Sequence, residues 1–298
     1  MIVDSVPRLS LIIREVRVPL TVLFVWDVAV TLAYFYLPFT APALPLTLFG
    51  SVLALFLGFR DNSAYARWWE GRVLWGAMIN ASRSLARATR NFLPTGEGNG
   101  GADAMARMII LRQIAYVNAL RCQLRKQDRD EPVLRFVGLA EAEVALDRTN
   151  AANGLLDNTG RQIDEARCRG WIDTIQQCQL EAVLVDIANA QGGMERLKNT
   201  PLPNQYRFFP TFFTRLFCIL LPIGLVETLG FATPIGSTIA GLMFLAVLQI
   251  GDDLVDPFAN TIHDVPMTAM CRTIEIDLLE ALGDVAPPPV RPVKGVLW

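Results

Sequence analysis

Between Leu55 and Arg72 the chain changes solvent. It reads Leu55-Phe56-Leu57-Gly58-Phe59-Arg60-Asp61-Asn62-Ser63-Ala64-Tyr65-Ala66-Arg67-Trp68-Trp69-Glu70-Gly71-Arg72. An apolar run turns abruptly into a dense mixture of arginines, acids and indoles. Hydrocarbon rejects the second half, and water disfavours the first. A segment that leaves the hydrocarbon through the headgroup layer, with Trp and Arg at the interface, satisfies both halves. The pattern implies a membrane protein whose second span continues as a helix into the cytoplasm.

Composition agrees. The 298 residues are 52% hydrophobic and 19% charged, with a mean hydropathy of +0.33. That is too apolar for an ordinary soluble domain and too charged for a chain wholly within lipid, so a membrane bundle with a sizeable aqueous part is expected. A net charge of -2 gives no reason to expect a nucleic-acid partner. The cysteines Cys122, Cys168, Cys178, Cys218 and Cys271 form no CxxC pair, so neither a disulfide framework nor a zinc site is expected. The segment Met1 to Arg17 has no cleavage-site pattern and is not read as a signal peptide.

Four segments approach the roughly 20 residues that hydrocarbon thickness demands. They run from about Pro19 to Pro38, Ala43 to Phe59, Phe208 to Leu229, and Phe231 to Ile250. The short links at Phe39 to Ala41 and Gly230 to Thr233 carry no Lys or Arg. The opposite flanks carry Arg8, Arg14, Arg17, Arg60, Arg67, Arg196, Lys198, Arg207 and Arg272. By the positive-inside rule both termini and the middle region face the cytoplasm. The chain then divides into 1–92 (arm, spans one and two, cytoplasmic extension), 93–207 (cytoplasmic helical region), 208–250 (spans three and four) and 251–298 (C-terminal helix and tail). The fold class is all-α.

Within the middle region, Met105 to Lys126 repeats Met108, Ile109, Ile114, Val117 and Leu120 at helical spacing. Glu143 to Arg148 closes a second such stretch, and Gln162 to Leu197 reads as one longer helix. Pro94 to Gly101 and Asn150 to Gly160 read as loops, and the Pro-rich tail from Pro287 to Trp298 as unpacked.

Several polar residues lie in apolar surroundings. A charge at the bilayer centre costs about 2.5–3.5 kcal/mol on insertion scales, so such a residue needs a partner or a watery cavity. Asp27 in span one is open to two readings, an ion pathway or a buried pair that orients helices. Arg215 and Glu227 in span three are open to a third, a snorkelling interfacial position. Arg60, Arg67, Arg72, Arg83, Arg87 and Arg90 read mainly as a water-facing stripe; adjacent Asp252 and Asp253 are a weak signal for a divalent cation and read rather as salt-bridge partners of that stripe or as helix-end solvation.

Catalytic chemistry has little to stand on. His263 is the single histidine, and the chain carries no nucleophile elbow or phosphate loop. No enzyme activity, cofactor or metal is expected.

Small residues in spans two and four (Gly50, Ser51, Ala54 and Gly58; Gly236, Ser237, Ala240 and Gly241) permit close helix packing. Ser51, Leu55 and Phe59 share one helical face at i, i+4, i+8. That stripe is either ordinary core or the lining of a pore where copies of span two surround an axis, gated by dewetting.

The pattern Phe59-Arg60-x-Asn62-x-x-Tyr65-x-Arg67-Trp68-Trp69-Glu70-x-Arg72-x-x-Trp75-Gly76 resembles the bestrophin ion channels, in their bacterial branch. Thr200-Pro201-Leu202-Pro203 with Tyr206 is similar to that family's entry to span three. Asp256-Pro257-Phe258 followed by His263-Asp264-Val265-Pro266 is similar to its signature after span four. These landmarks spread over about residues 10–282.

The resemblance implies a homopentamer around one central pore, with four transmembrane helices and a cytoplasmic helical bundle per chain. It implies the bacterial inner membrane, with both termini cytoplasmic. The partners implied are further copies of the chain, the lipid bilayer and permeating monovalent ions. The neck residues would be Leu55 and Phe59, with Ser51 one turn outward in place of the bulky apolar residue usual in the family. A cytoplasmic aperture would fall at Ile175, with Ile172 in reserve. Animal members hold calcium in an acidic run after the Asn-Pro-Phe motif. Here Ala259-Asn260-Thr261-Ile262 follows, so calcium gating is not expected. The bacterial branch points to monovalent cations, with an anion channel of the same fold as the alternative. A secondary transporter using Asp27 and a membrane scaffold are the rival classes.

Overall fold

A computed structural model describes residues 1–2, 9–38, 40–94, 96 and 98–298, with backbone alone for 9–12. Arg8, Phe39, Thr95 and Glu97, which entered the expected flanks and loops, lie outside the described residues. The described residues form ten α-helices, one 3-10 turn and no β-strand beyond isolated bridges. The chain divides into two compact units, each described by itself: Asp4–Trp68 with Pro201–Val255, and Met1–Val3 with Trp69–Thr200 and Asp256–Trp298.

The first unit holds α1 (Leu9–Tyr36), the start of α2 (Leu46–Phe92), α8 (Asn204–Leu229), a 3-10 turn (Gly230–Ala232) and α9 (Thr233–Leu254). Residues Ile13–Tyr36 and Asn204–Leu254 are long and apolar enough to cross a membrane. The apolar part of α2 falls short of that test because Arg60 and Asp61 interrupt it, while the helix runs on unbroken. Its polar interruptions do not compete with the backbone: the Ser51 and Ser63 hydroxyls donate back to the carbonyls of Thr47 and Phe59 at 2.8 and 2.9 Å. Leu53 and Leu57 pack with Phe217 and Leu221 of α8 and Leu248 of α9. Val16 and Leu23 of α1 pack with Cys218 and Leu245. Asp27 is fully buried, and the Ser237 and Thr238 hydroxyls of α9 donate to its carboxylate at 3.0 and 2.8 Å. Its partners are thus hydroxyls that tie α1 to α9.

The second unit is organised around α3 (Gly100–Arg125), buried over most of its length against α6 (Ala151–Cys168) and α10 (Met267–Leu282). The short helices α4 (Asp130–Leu134) and α5 (Leu139–Leu146) and the long α7 (Thr174–Asn199) complete it. Two polar networks in its interior are bonded internally. Tyr116 donates to Gln191 at 2.6 Å, and Gln191 donates to Glu195 at 2.7 Å and to Asn150 at 3.2 Å. Burial pushes the Tyr116 hydroxyl well above its ordinary pKa, with the Glu195 charge adding to the effect. Buried Arg112 pairs with Glu141 and donates to Gln162 at 2.8 Å.

Three local expectations are corrected here. The helix expected over Gln162 to Leu197 is two helices, because Gly170 adopts φ +73 and Asp173 caps α7 with a reciprocal Asp173–Gln176 box. The loop expected at Asn150 to Gly160 is the start of α6, whose N-cap is Asn150: its side chain accepts from Asn153 N at 3.0 Å. The tail is not free. Met1 N donates to Leu297 O at 2.6 Å and Ala269 N to Trp298 O at 2.7 Å, so the two chain ends meet.

Candidate functional site

The face of α2 that matters is the one its own unit leaves uncovered. Leu53 and Leu57 are buried, whereas Leu55 and Phe59 are 61% and 62% exposed, and Ser51 is exposed with them. These three residues share a stripe roughly opposite the packed one, as the helical period dictates. Large apolar side chains held outward on a rigid helix need lipid, another chain or a pore beside them.

One residue after Phe59 the environment inverts. Arg60 is 1% exposed. It donates to the carbonyl of Leu248 at 2.9 Å and pairs with Asp252, both on α9, while the Asp61 carboxylate lies 3.6 Å away. The expected water-facing stripe therefore begins after Arg60, which is an internal anchor: a buried guanidinium needs compensation for lost hydration, and α9 supplies an acid and a carbonyl. Burial pushes the Asp61 carboxyl up to about 6; Arg60 opposes this and Asp252 adds to it. Arg67 donates to the carbonyl of Val255 at 3.2 Å. The Tyr65 and Trp68 rings stack with centroids 6.2 Å apart. Asn62 is exposed.

In the second unit the rest of the motif is structural. Glu70 pairs with Arg196 of α7, Trp69 is exposed, and half-buried Arg72 lies over Gly76. A Cβ at Gly71 would come within 3.1 Å of the Phe258 ring and 3.2 Å of Pro257, so a side chain there would press on this turn. Phe258 is fully buried. Asp256 accepts from Phe258 N at 3.1 Å and pairs with Lys198 at 2.7 Å, and Val265 N donates to Pro257 O at 3.1 Å. Asp264 accepts from the Thr261 hydroxyl and amide at 2.6 and 2.9 Å. Asp256-Pro257-Phe258 and His263-Asp264-Val265 thus form one folded turn against Gly71. Sequence reasoning named both motifs but not their contact; the glycine inside the Trp68-Trp69-Glu70-Gly71 run was the available signal.

The two aperture candidates separate cleanly. Ile175, in the first turn of α7, is 70% exposed, whereas Ile172 is buried.

Comparison with known proteins agrees with this architecture. The family model for the Bacterial/Fungal Bestrophin protein matches residues 7–280. A voltage-dependent anion channel-forming protein of Mesorhizobium japonicum is 36% identical over 250 residues, covering 84% of this chain and 78% of its own. The voltage-dependent anion channel-forming protein YneE of Escherichia coli K12 is 35% identical over 247 residues, covering 83% and 79%. The crystal structure of a bacterial bestrophin homologue from Klebsiella pneumoniae matches with a TM-score of 0.84 at 32% identity, covering 89% of this chain and 98% of that one. The chain belongs to the bacterial and fungal bestrophin family of ion channels.

Proposed function

We propose that this protein is a pentameric anion channel whose neck is lined by Ser51, Leu55 and Phe59 from five copies of α2. The observation that carries the reading is the outward Leu55–Phe59 face, uncovered within its own unit on a helix anchored one residue later by buried Arg60. Apolar rings of this kind pass ions when wide enough to be wet and stop them by dewetting when narrow. Ser51 gives the outermost ring a hydroxyl and less bulk, so that level stays wet at a smaller radius. Ile175 forms the cytoplasmic aperture. In this reading four helical spans cross a bacterial inner membrane, so both termini share one side, and the Arg and Lys flanks favour the cytoplasm for it. The turn after Phe258 lacks an acidic run, which argues against a calcium clasp.

The sign of the permeant ion departs from the cation preference expected from sequence. Uncharged neck rings set no sign, and the relatives of Mesorhizobium and Escherichia are named as anion channel-forming proteins. The test is current from purified protein in a planar bilayer under an asymmetric NaCl gradient with chelator. Discrete openings that reverse near the chloride potential support the proposal. Reversal near the sodium potential restores the cation reading, and current that vanishes with chelator refutes the calcium claim.

A further inference from the structure

Arg215 has no place in the neck, the Arg60 anchor or the aperture. It sits well inside α8, exposed and flanked by the apolar residues Phe212, Phe213, Leu216 and Ile219. The Cα–Cβ bonds of a helix tilt toward its N-terminus, so the side chain lies back over Thr211, one turn earlier, on the face that also carries Arg207. These residues with Phe208 and Phe212 line a groove of about 520 Å³. Arg215 also stands on the wall of a second groove, of about 590 Å³, whose other walls include Val18, Val22 and Trp26 of α1, Ile219 of α8 and Leu245 of α9. The indole N–H of Trp26 is engaged by the Ile219 carbonyl at 3.0 Å. The Thr211 hydroxyl is engaged by the Arg207 carbonyl at 2.9 Å. The apolar groove therefore offers hydrocarbon with Arg215 on its wall, and Arg207 lines the other groove, which Arg215 shares. Neither Arg207 nor Arg215 has an acidic partner among the described residues.

A ligand matching both parts carries an anionic oxygen cluster joined to an apolar chain. We propose that Arg207, Arg215 and the groove between α1 and α8 bind one anionic phospholipid. Its phosphate lies between the guanidiniums, whose planar forks suit phosphate oxygens, and an acyl chain lies along Val18, Val22 and Trp26. The site needs α1, α8 and α9 to cross the bilayer and is independent of the pore reading.

Trp26 makes the site observable. The full chain is reconstituted in phosphatidylcholine vesicles with a small mole fraction of acyl-brominated phosphatidylglycerol or acyl-brominated phosphatidylcholine. The Trp26 contribution to quenching is taken as wild type minus Trp26→Phe. Half-maximal quenching comes at about tenfold lower mole fraction for the anionic lipid, the scale of one to two charge-assisted contacts. The Arg207→Ala/Arg215→Ala pair removes that preference, and the Arg207→Lys/Arg215→Lys pair keeps most of it. Equal quenching by the two lipids in the wild type overturns the proposal without any variant. So does an absence of quenching, which would mean that a neighbouring chain covers the groove. Excess inorganic phosphate leaves the preference intact; if it abolishes the preference, the site takes a soluble oxyanion and the lipid assignment fails.

Discussion

In the unit built around α3, Tyr116, Gln191, Asn150 and Glu195 bond to one another, and Arg112 is held by Glu141 and Gln162. In the unit built from α1, α8, α9 and the start of α2, Phe208, Phe209, Phe212 and Phe213 lie on the surface and stack on each other. The first bonds the core of its polar interior within the chain, while the Trp75 indole N–H and the Thr89 hydroxyl are buried without a partner among the described residues. The second also buries polar groups, among them Asp27, Arg60, Thr214 and Ser237, but leaves whole apolar faces outside. A water-exposed bundle must close its own core, because uncovered apolar area there costs free energy. A membrane bundle is under no such pressure, so its packing need only fix helix positions, and a few polar ties do that: Arg60 to Asp252, and Asp27 to Ser237 and Thr238.

The contrast predicts where single substitutions hurt most. Asp252→Ala leaves the Arg60 guanidinium buried with the Leu248 carbonyl and Asp61 as its remaining partners, and lowers unfolding free energy by about 1.5–3 kcal/mol, the scale of a hydrogen bond to a charged group. Denaturant titration in mild detergent checks it, and a loss under about 0.5 kcal/mol, the level of an exposed pair, would mean that the membrane unit does not rely on that anchor. Tyr116→Phe removes one buried bond and leaves Gln191 short of a donor, costing about 1–2 kcal/mol; a neutral result would show that the α3 network is loosely held. Arg169→Ala breaks an exposed i,i+4 pair with Glu165 and changes stability by less than about 0.5 kcal/mol.

Asp61 sharpens the comparison through pH. Its folded-state pKa, near 6, lies above the ordinary carboxylate value of 3.8 because burial disfavours the charged form. The native state therefore holds this proton more tightly than the unfolded chain. Stability from this group is greatest below about pH 4, falls as pH rises, and is fully lost above about pH 6. The difference in melting temperature between wild type and Asp61→Asn should thus shift across that window against the wild type as pH rises. A pH-independent difference would show that Asp61 is hydrated in the folded state.

The apolar segments were legible because hydrocarbon thickness fixes how many residues a crossing needs, and the Phe59-Arg60 boundary marks a change of solvent. The burial of Arg60 was not legible, since an arginine just past a span reads equally as interfacial; only the acid and carbonyl of α9 reveal its role. The α6 start was missed because Asn150, Asn153 and Gly154 are turn residues by composition, while here Asn150 acts as an N-cap. The docking of the tail depends on backbone bonds at Met1, Ala269 and Trp298, which side-chain patterns do not encode. At the candidate site, Ser51, Leu55 and Phe59 were readable as a stripe, but that the stripe points away from its own core required the fold.

The central claim is that this outward stripe forms the narrowest part of a conducting path. Single-channel recording of the Leu55→Ala/Phe59→Ala double variant, purified at the same oligomeric size as the wild type, tests it most directly. Two smaller rings widen and wet the neck, so the account predicts a severalfold higher conductance or open probability at an unchanged melting temperature. Unchanged current from a well-folded assembly of the same size would place the constriction elsewhere and contradict the account.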